Sequence, residues 1–162
     1  MRVWVITRLL LLLILANGIP VVAKQILGNR FSRALDSGVR CRDGQPLFGV
    51  SKTVRGILLS VVATVIGAYL AGLGSKTGAL VGSAAMFGDL FSSFLKRRMK
   101  LPESSRAIGL DQVPESLFPL LACRRALSLT ILDTAVAVVT FFVGEILISR
   151  ILYRFRLRDR PY

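Results

Sequence analysis

Asp89, Ser92, Ser93, Lys96 and Arg97 fall at positions i, i+3, i+4, i+7 and i+8, the spacing that places side chains on one face of a helix. The residues between them are mostly apolar, so Gly88 to Arg97 predicts a greasy helix with one polar stripe. An acid in such a segment is expensive to keep in a bilayer and points to function. A carboxylate followed one to two turns later by paired cations suits a ligand that carries both a metal ion and phosphate. The plainer account is a helix end whose Lys and Arg snorkel to the interface while Asp89 pairs with one of them. That account explains the cations and leaves the acid without a purpose.

Two further acids can join Asp89. Asp111 and Glu115 stand at i, i+4 spacing at an expected helix start. Oxygen clusters without His or Cys suit Mg²⁺, which binds through carboxylates plus substrate phosphates. The chain contains no histidine, which excludes His triads, His general bases and most zinc sites. Cys41 and Cys123 are far apart with no Cys-x-x-Cys spacing, so neither a disulfide nor a metal role is expected of them. Upstream, Ser51-Lys52-Thr53 leads into an apolar run, where a cation, a hydroxyl and the free N–H groups of a helix start can meet phosphate. It is not a Walker A loop, because the Gly-x4-Gly-Lys spacing is missing. Lys52, Lys96, Arg97 and Arg106 would then surround the acids with a set of cations suited to polyphosphate. A basic rim also attracts anionic lipid headgroups, at about 1 kcal/mol per Lys or Arg, but that leaves the buried acid unexplained.

These residues need elements to hold them. The chain has 162 residues, is 53% hydrophobic and carries 22 Lys+Arg against 9 Asp+Glu. The positive charge sits in blocks between apolar runs, the pattern of an integral membrane protein rather than a nucleic-acid binder; no aromatic-interleaved basic stripe suggests nucleic acid as a partner. A single all-α domain over 1–162 is expected, with spans at about 3–23, 56–75, 77–95, 113–128 and 129–149. The first run has a basic start and a leucine core. However, Arg8 splits the core and Leu-Ala-Asn-Gly is a poor cleavage site, so a retained helix kinked at Pro20 is expected instead of a signal peptide. Residues 24–55 form a long polar loop, of the kind that is usually functional or disordered. Small residues Gly78, Gly82, Ala85 and Gly88 allow close packing of the third span.

Orientation follows from the positive-inside rule. Lys24–Arg55 holds seven Lys/Arg, Lys96–Arg106 five and Arg150–Arg160 five. All three blocks face one side only if the short apolar segment after Val113 counts as a crossing. The expectation is therefore five spans, the N-terminus outside, the C-terminus and both polar loops in the cytoplasm, and a site facing the cytosol across the cell membrane.

Taken together, Gly88-Asp-Leu-x-x-Ser-x-x-Lys-Arg97 and Ser51-Lys-Thr-x-x-Gly56 resemble the CTP-dependent cytidylyltransferases of phospholipid synthesis. Within these the chain is most similar to the small CDP-archaeol synthase family. The likeness extends to Asn17-Gly-Ile-Pro20, Arg42-Asp-Gly-Gln-Pro-Leu-Phe-Gly49, Leu110-Asp-Gln-Val-Pro-Glu115 and the tail Arg160-Pro-Tyr162. The larger phosphatidate cytidylyltransferases share only the two central motifs, usually with Glu where this chain has Arg55, and carry a further His-, Gly- and Asp-rich signature. Here Asp111 and Glu115 are the candidates to replace those later acids.

The resemblance implies attack by a membrane lipid phosphate on the α-phosphorus of CTP, with release of pyrophosphate. It implies Mg²⁺ held by Asp89 and Asp111, with Glu115 as a further candidate, and catalysis resting on Asp89, Lys96 and Asp111. Lys52, Lys96 and Arg97 would hold the CTP phosphates, with hydrogen bonds from Thr53 and Ser93. A phosphate monoester is already largely dianionic at neutral pH, with a second pKa of about 6, so the lack of His is no obstacle. A CDP-alcohol phosphatidyltransferase would need Asp-Gly-x-x-Ala-Arg, whereas Asp43-Gly44 continues into Gln-Pro-Leu-Phe. The competing reading from another class is a small transporter or scaffold that binds anionic lipid through its basic rim.

Overall fold

The computed structural model describes residues 2–102, 105 and 107–154. Arg106 and the Arg160-Pro-Tyr162 tail lie outside the described residues. Five helices carry the fold: α1 Val3–Leu27, α2 Val54–Leu70, α3 Ser75–Arg98, α4 Gln112–Cys123 and α5 Ile131–Arg154. Among the described residues there is no strand longer than an isolated bridge. The all-α expectation holds, and α1, α3 and α5 are long and apolar enough to cross a membrane.

The polarity pattern is that of a lipid-facing bundle. Leu9, Leu13, Val81, Ala85, Leu120, Ala137 and Phe141 are buried between helices, while Leu11, Leu58, Val62, Ile66, Leu70 and Val139 stay exposed. Lipid tails are as apolar as leucine, so helix association there depends on close packing and hydrogen bonds rather than on water exclusion. Both devices are present. The Ser60 hydroxyl donates to the Ala16 carbonyl at 2.6 Å across α1 and α2. Gly78 lets α3 approach the α2 backbone so closely that a Cβ there would lie 2.7 Å from the Thr64 carbonyl oxygen.

Helix ends show which way each element runs. At one end of the bundle, Arg2 at the start of α1 donates through its backbone N–H to Asp133 at 3.2 Å and through its guanidinium to the Leu127 carbonyl at 3.0 Å. Asp133 and Thr130 also cap the start of α5 reciprocally, each backbone N–H reaching the other's side chain at 3.1 Å. The last turns of α1 lie against the start of α2, where Gly56 faces Pro20. The starts of α1 and α5 therefore share one end, and the start of α2 sits at the other. Pro20 lies inside α1, which continues four residues past the expected limit to Leu27.

α4 is the element that falls furthest short of its expected length. It has 12 residues and ends at Cys123 instead of 128, about 18 Å at 1.5 Å per residue and far short of a hydrocarbon core of about 30 Å. The reason is where it begins. Residues after α3 fold back along its last turns: Leu101 N–H donates to the Lys96 carbonyl at 3.0 Å, and the Arg97 guanidinium donates to the Pro102 carbonyl at 2.8 Å. The start of α4 then rests on Gly88, where an added Cβ would lie 2.4 Å from the Pro114 carbonyl oxygen. Gly88 is ten residues before Arg98, so α4 starts about 15 Å below the end of α3. The chain sinks a polar connection into the bundle, and a short helix with the turn at 124–129 covers what remains.

Candidate functional site

The sunken connection, the long loop 28–53 and the polar half of α3 meet around Lys52. This side chain reaches from the loop to α3 and donates to both carboxylate oxygens of Asp89, at 2.5 and 2.6 Å. About one-fifth of each side chain remains exposed. Burial alone would lower the Lys52 pKa. Asp89, with Glu115 and Asp111 behind it, more than reverses this and holds the ammonium above its ordinary value of 10.5. Of the three acids singled out from the sequence, Asp89 touches Lys52, while Glu115 and Asp111 act on it through their charge alone.

They do not converge on one another equally. The Glu115 carboxyl lies within hydrogen-bonding reach of Asp89 and in the field of Glu145 on α5. Asp111 is engaged elsewhere: its Oδ1 lies 2.8 Å from the Lys96 ammonium. That contact is ionic rather than a directed hydrogen bond, since the same buried oxygen has no hydrogen-bond partner. The other Asp111 oxygen accepts from the Ala107 N–H at 3.1 Å. Among the described residues, no three His, Cys, Asp or Glu side chains are close enough to hold one metal ion between them. The donors do fit a hard cation. Asp89 and Glu115 present adjacent carboxyls, and the place a cation would take on Asp89 already attracts an ammonium in a two-oxygen contact. Two carboxylates with substrate phosphates completing the shell is an ordinary Mg²⁺ arrangement.

The remaining sequence candidates divide in two. Thr53 caps α2, its hydroxyl accepting from the Gly56 N–H at 3.1 Å, and lines the same cavity as Lys52 and Asp89. Ser93, Lys96 and Arg97 are buried on the polar face of α3. There Lys96 donates to the Ser105 carbonyl at 2.9 Å and Arg97 holds Pro102. These two cations fasten the sunken connection and do not line the cavity that holds Lys52. That cavity, about 530 Å³, is lined mostly by polar side chains, among them Asn29 and Ser32 from the loop, Arg55 from α2 and Lys24 from α1. A second cavity of about 330 Å³ lies between α1 and α5, lined by apolar residues such as Leu10, Ile14, Val21 and Phe141, with Glu145 also on its wall.

Sequence reasoning missed several residues that shape this site. Arg55 donates to the Gly28 carbonyl at 3.1 Å and to that of Arg30, closing the neck of the loop. Arg98 donates to Asp43 at 2.6 Å and to the Pro46 carbonyl at 2.7 Å, pinning the loop's far side to α3. Asp36 is buried and accepts three backbone N–H groups. For Asp36 a signal was present: Asp-Ser-Gly is a turn sequence in which the carboxylate bonds the backbone two residues on.

Comparison with known proteins gives the arrangement its context. A family model described as CarS-like, CDP-archaeol synthase, matches residues 5–162. A CDP-archaeol synthase of Sulfurisphaera tokodaii is 33% identical over 126 residues, covering 74% of this chain and 76% of that protein. One from Pyrobaculum calidifontis is 32% identical over 152 residues, covering 91% of this chain and 90% of that protein. A solved intramembrane enzyme of archaeal membrane lipid biosynthesis superposes with a TM-score of 0.64 at 27% identity, over 83% of this chain and 88% of that one. With the family model spanning almost the whole chain and the likeness extending to the fold, this membrane protein belongs to the CarS-like CDP-archaeol synthase family and is an enzyme, a cytidylyltransferase.

Proposed function

We propose that the chain transfers CMP from CTP to the phosphate of a membrane-embedded glycerol lipid of the archaeol type, with Mg²⁺ as cofactor. The observation that carries this reading is the Lys52–Asp89 pair, set in a polar cavity at the end of a lipid-facing bundle. A cation able to hold phosphate and a carboxylate able to hold metal stand in contact beside a second carboxyl, Glu115. Family membership supplies the reaction class.

In the reaction an oxygen of the lipid phosphate attacks the α-phosphorus of CTP. A new P–O–P bond forms, the α–β bridging P–O bond breaks, and pyrophosphate leaves with the electron pair. The nucleophile is already anionic near neutral pH, so the protein's task is positioning and charge stabilisation. Lys52 turns from Asp89 to the phosphates, and the Thr53 hydroxyl offers a further donor. Asp89 and Glu115 would hold Mg²⁺, which when bound neutralises phosphate charge and aligns nucleophile and leaving group. Lys96, Asp111 and Arg97 keep the sunken connection in place, so that Glu115 reaches Asp89. The apolar cavity between α1 and α5, with Glu145 on its wall, suits an alkyl chain of the lipid while its phosphate reaches the acids. The Lys- and Arg-rich loops at this face support an orientation toward the cytoplasm by the positive-inside rule.

The test is incorporation of radiolabelled CTP into lipid by purified protein with Mg²⁺, offered an isoprenoid-ether glycerol phosphate and phosphatidic acid side by side. Label in the ether lipid, lost in Asp89→Asn, is the expected result. No label in either lipid, from folded protein that also fails to bind CTP, would refute the reading.

A further inference from the structure

Loop 28–53 delivers Lys52 although it contains no helix or strand of its own, so something else must fix its shape. Its backbone pairs with itself at the neck, where Leu35 N–H donates to the Lys52 carbonyl at 2.8 Å and Val54 N–H to the Arg33 carbonyl at 3.1 Å. Between these strands of loop stands Asp36, 7% exposed. One carboxylate oxygen accepts from the Gly38 N–H at 3.1 Å. The other accepts from Phe48 at 3.0 Å and Gly49 at 2.9 Å. Lys52 N–H donates in turn to the Gly49 carbonyl at 3.2 Å. The path from Asp36 through Gly49 to Lys52 and Asp89 is continuous, and Asp36 does not line the polar cavity.

We propose that Asp36 is a positioning residue for the reaction, fixing the 48–53 turn so that Lys52 and Thr53 stand where the CTP phosphates bind. A carboxylate suits this role because it accepts at both oxygens and has no hydrogen to donate, so three N–H groups can be gathered on one side chain. Bonds to an ionised acceptor are also about twice as strong as neutral ones. This role rests on the reading of Lys52 as a phosphate-binding cation, and the experiment separates the two.

The test is a double-mutant cycle on CTP turnover and CTP binding, using Asp36→Asn, Lys52→Ala and their combination in the full-length protein with Mg²⁺ and lipid phosphate. Asn replaces one acceptor oxygen with an NH₂ donor facing the N–H groups it should receive. Asp36→Asn is expected to raise KM for CTP about tenfold with kcat changed less than about threefold. Added to Lys52→Ala, it should raise KM by clearly less than it does alone, because residues acting through one path are not additive. Multiplicative losses, or a wild-type KM in Asp36→Asn, would overturn the proposal while a defective Lys52→Ala left the phosphate reading standing. A wild-type Lys52→Ala would sink both. Should Asp36→Asn fail to fold, Asp36→Glu carries the same cycle, since it keeps two acceptors displaced by one methylene.

Discussion

The Lys52 ammonium lies 2.5 and 2.6 Å from the two carboxylate oxygens of Asp89, although 37 residues separate them in the chain. Neither element could place this contact alone. α3 carries the acid on its polar face, and the loop supplies the cation immediately before Thr53 caps α2. The pair neutralises an acid that would otherwise be costly in a membrane protein. It also keeps a phosphate-binding cation beside the carboxylate that would hold metal. Lys52→Ala should therefore lower kcat/KM for CTP by roughly 10² to 10³, the usual cost of removing one preorganised electrostatic donor. Initial rates at varied CTP measure it, and a loss below about threefold would take Lys52 out of the phosphate site.

Gly88 sets the depth of the site. A Cβ at this position would come 2.4 Å from the Pro114 carbonyl oxygen and 2.8 Å from the Glu115 nitrogen, both backbone atoms that have no rotamer to escape by. Gly88→Ala should push α4 off α3 and cost about 1–3 kcal/mol, as overpacking does. Gly144 on α5 is the control, since nothing lies within 4 Å of its added Cβ. There the gain in helix propensity, at most about 1 kcal/mol, should leave stability equal or higher. Thermal unfolding in detergent compares the two, and equal midpoints would show that the α3–α4 contact gives way freely.

Asp36 makes loop order depend on pH in a defined direction. Burial would raise its carboxyl pKa, but the N–H bonds from Phe48, Gly49 and Gly38 outweigh this and hold it below the ordinary 3.8. A depressed folded pKa means the stabilisation is complete above the unfolded value and disappears as pH falls through the folded one. The Phe48 and Gly49 amides should keep their hydrogen-exchange protection from neutral pH down to about pH 4 and lose it below. After correction for intrinsic exchange, Asp36→Asn should show low protection at every pH. Protection in the wild type that persists far below the carboxylate range would mean the carboxylate is not what orders the loop.

Much of this fold was legible because membrane segments announce themselves by composition, and the polar stripe from Asp89 to Arg97 by period. What the sequence hid was depth. Nothing in Asp111-Gln-Val-Pro-Glu115 says that its helix begins three turns below the end of α3; that depends on Gly88 having no side chain and on Lys96 and Arg97 holding the returning chain. For the same reason the stripe on α3 reads as one set of ligands, yet folds into two groups. Asp89 faces Lys52, while Lys96 and Arg97 hold the connection. Periodicity gives the face of a helix but not which neighbour covers each turn of it.

That division yields the last prediction, about which acids hold metal. Asp111 is tied to Lys96 at 2.8 Å, with 13% and 10% of the respective side chains exposed, whereas Glu115 lies against Asp89. Removing one partner of a buried pair costs about 3–5 kcal/mol, because the other charge is left uncompensated. Asp111→Asn and Lys96→Met should each lower the unfolding midpoint, and the double variant should recover part of the loss. Glu115→Gln leaves that pair intact, so its main effect should be on the cation. Titration of the purified protein with Mn²⁺ as a spectroscopic stand-in, in the presence of CTP, separates the roles. Glu115→Gln and Asp89→Asn should weaken metal binding about tenfold or more, in line with the loss of one ligand or its immediate support. Asp111→Asn, measured well below its lowered midpoint, should lose less metal affinity than either, because it acts on the metal only through the placement of Glu115. The reverse order, strong loss in Asp111→Asn and none in Glu115→Gln, would mean that Asp111 leaves Lys96 when CTP and metal arrive, and that the ion pair is a latch opened by substrate.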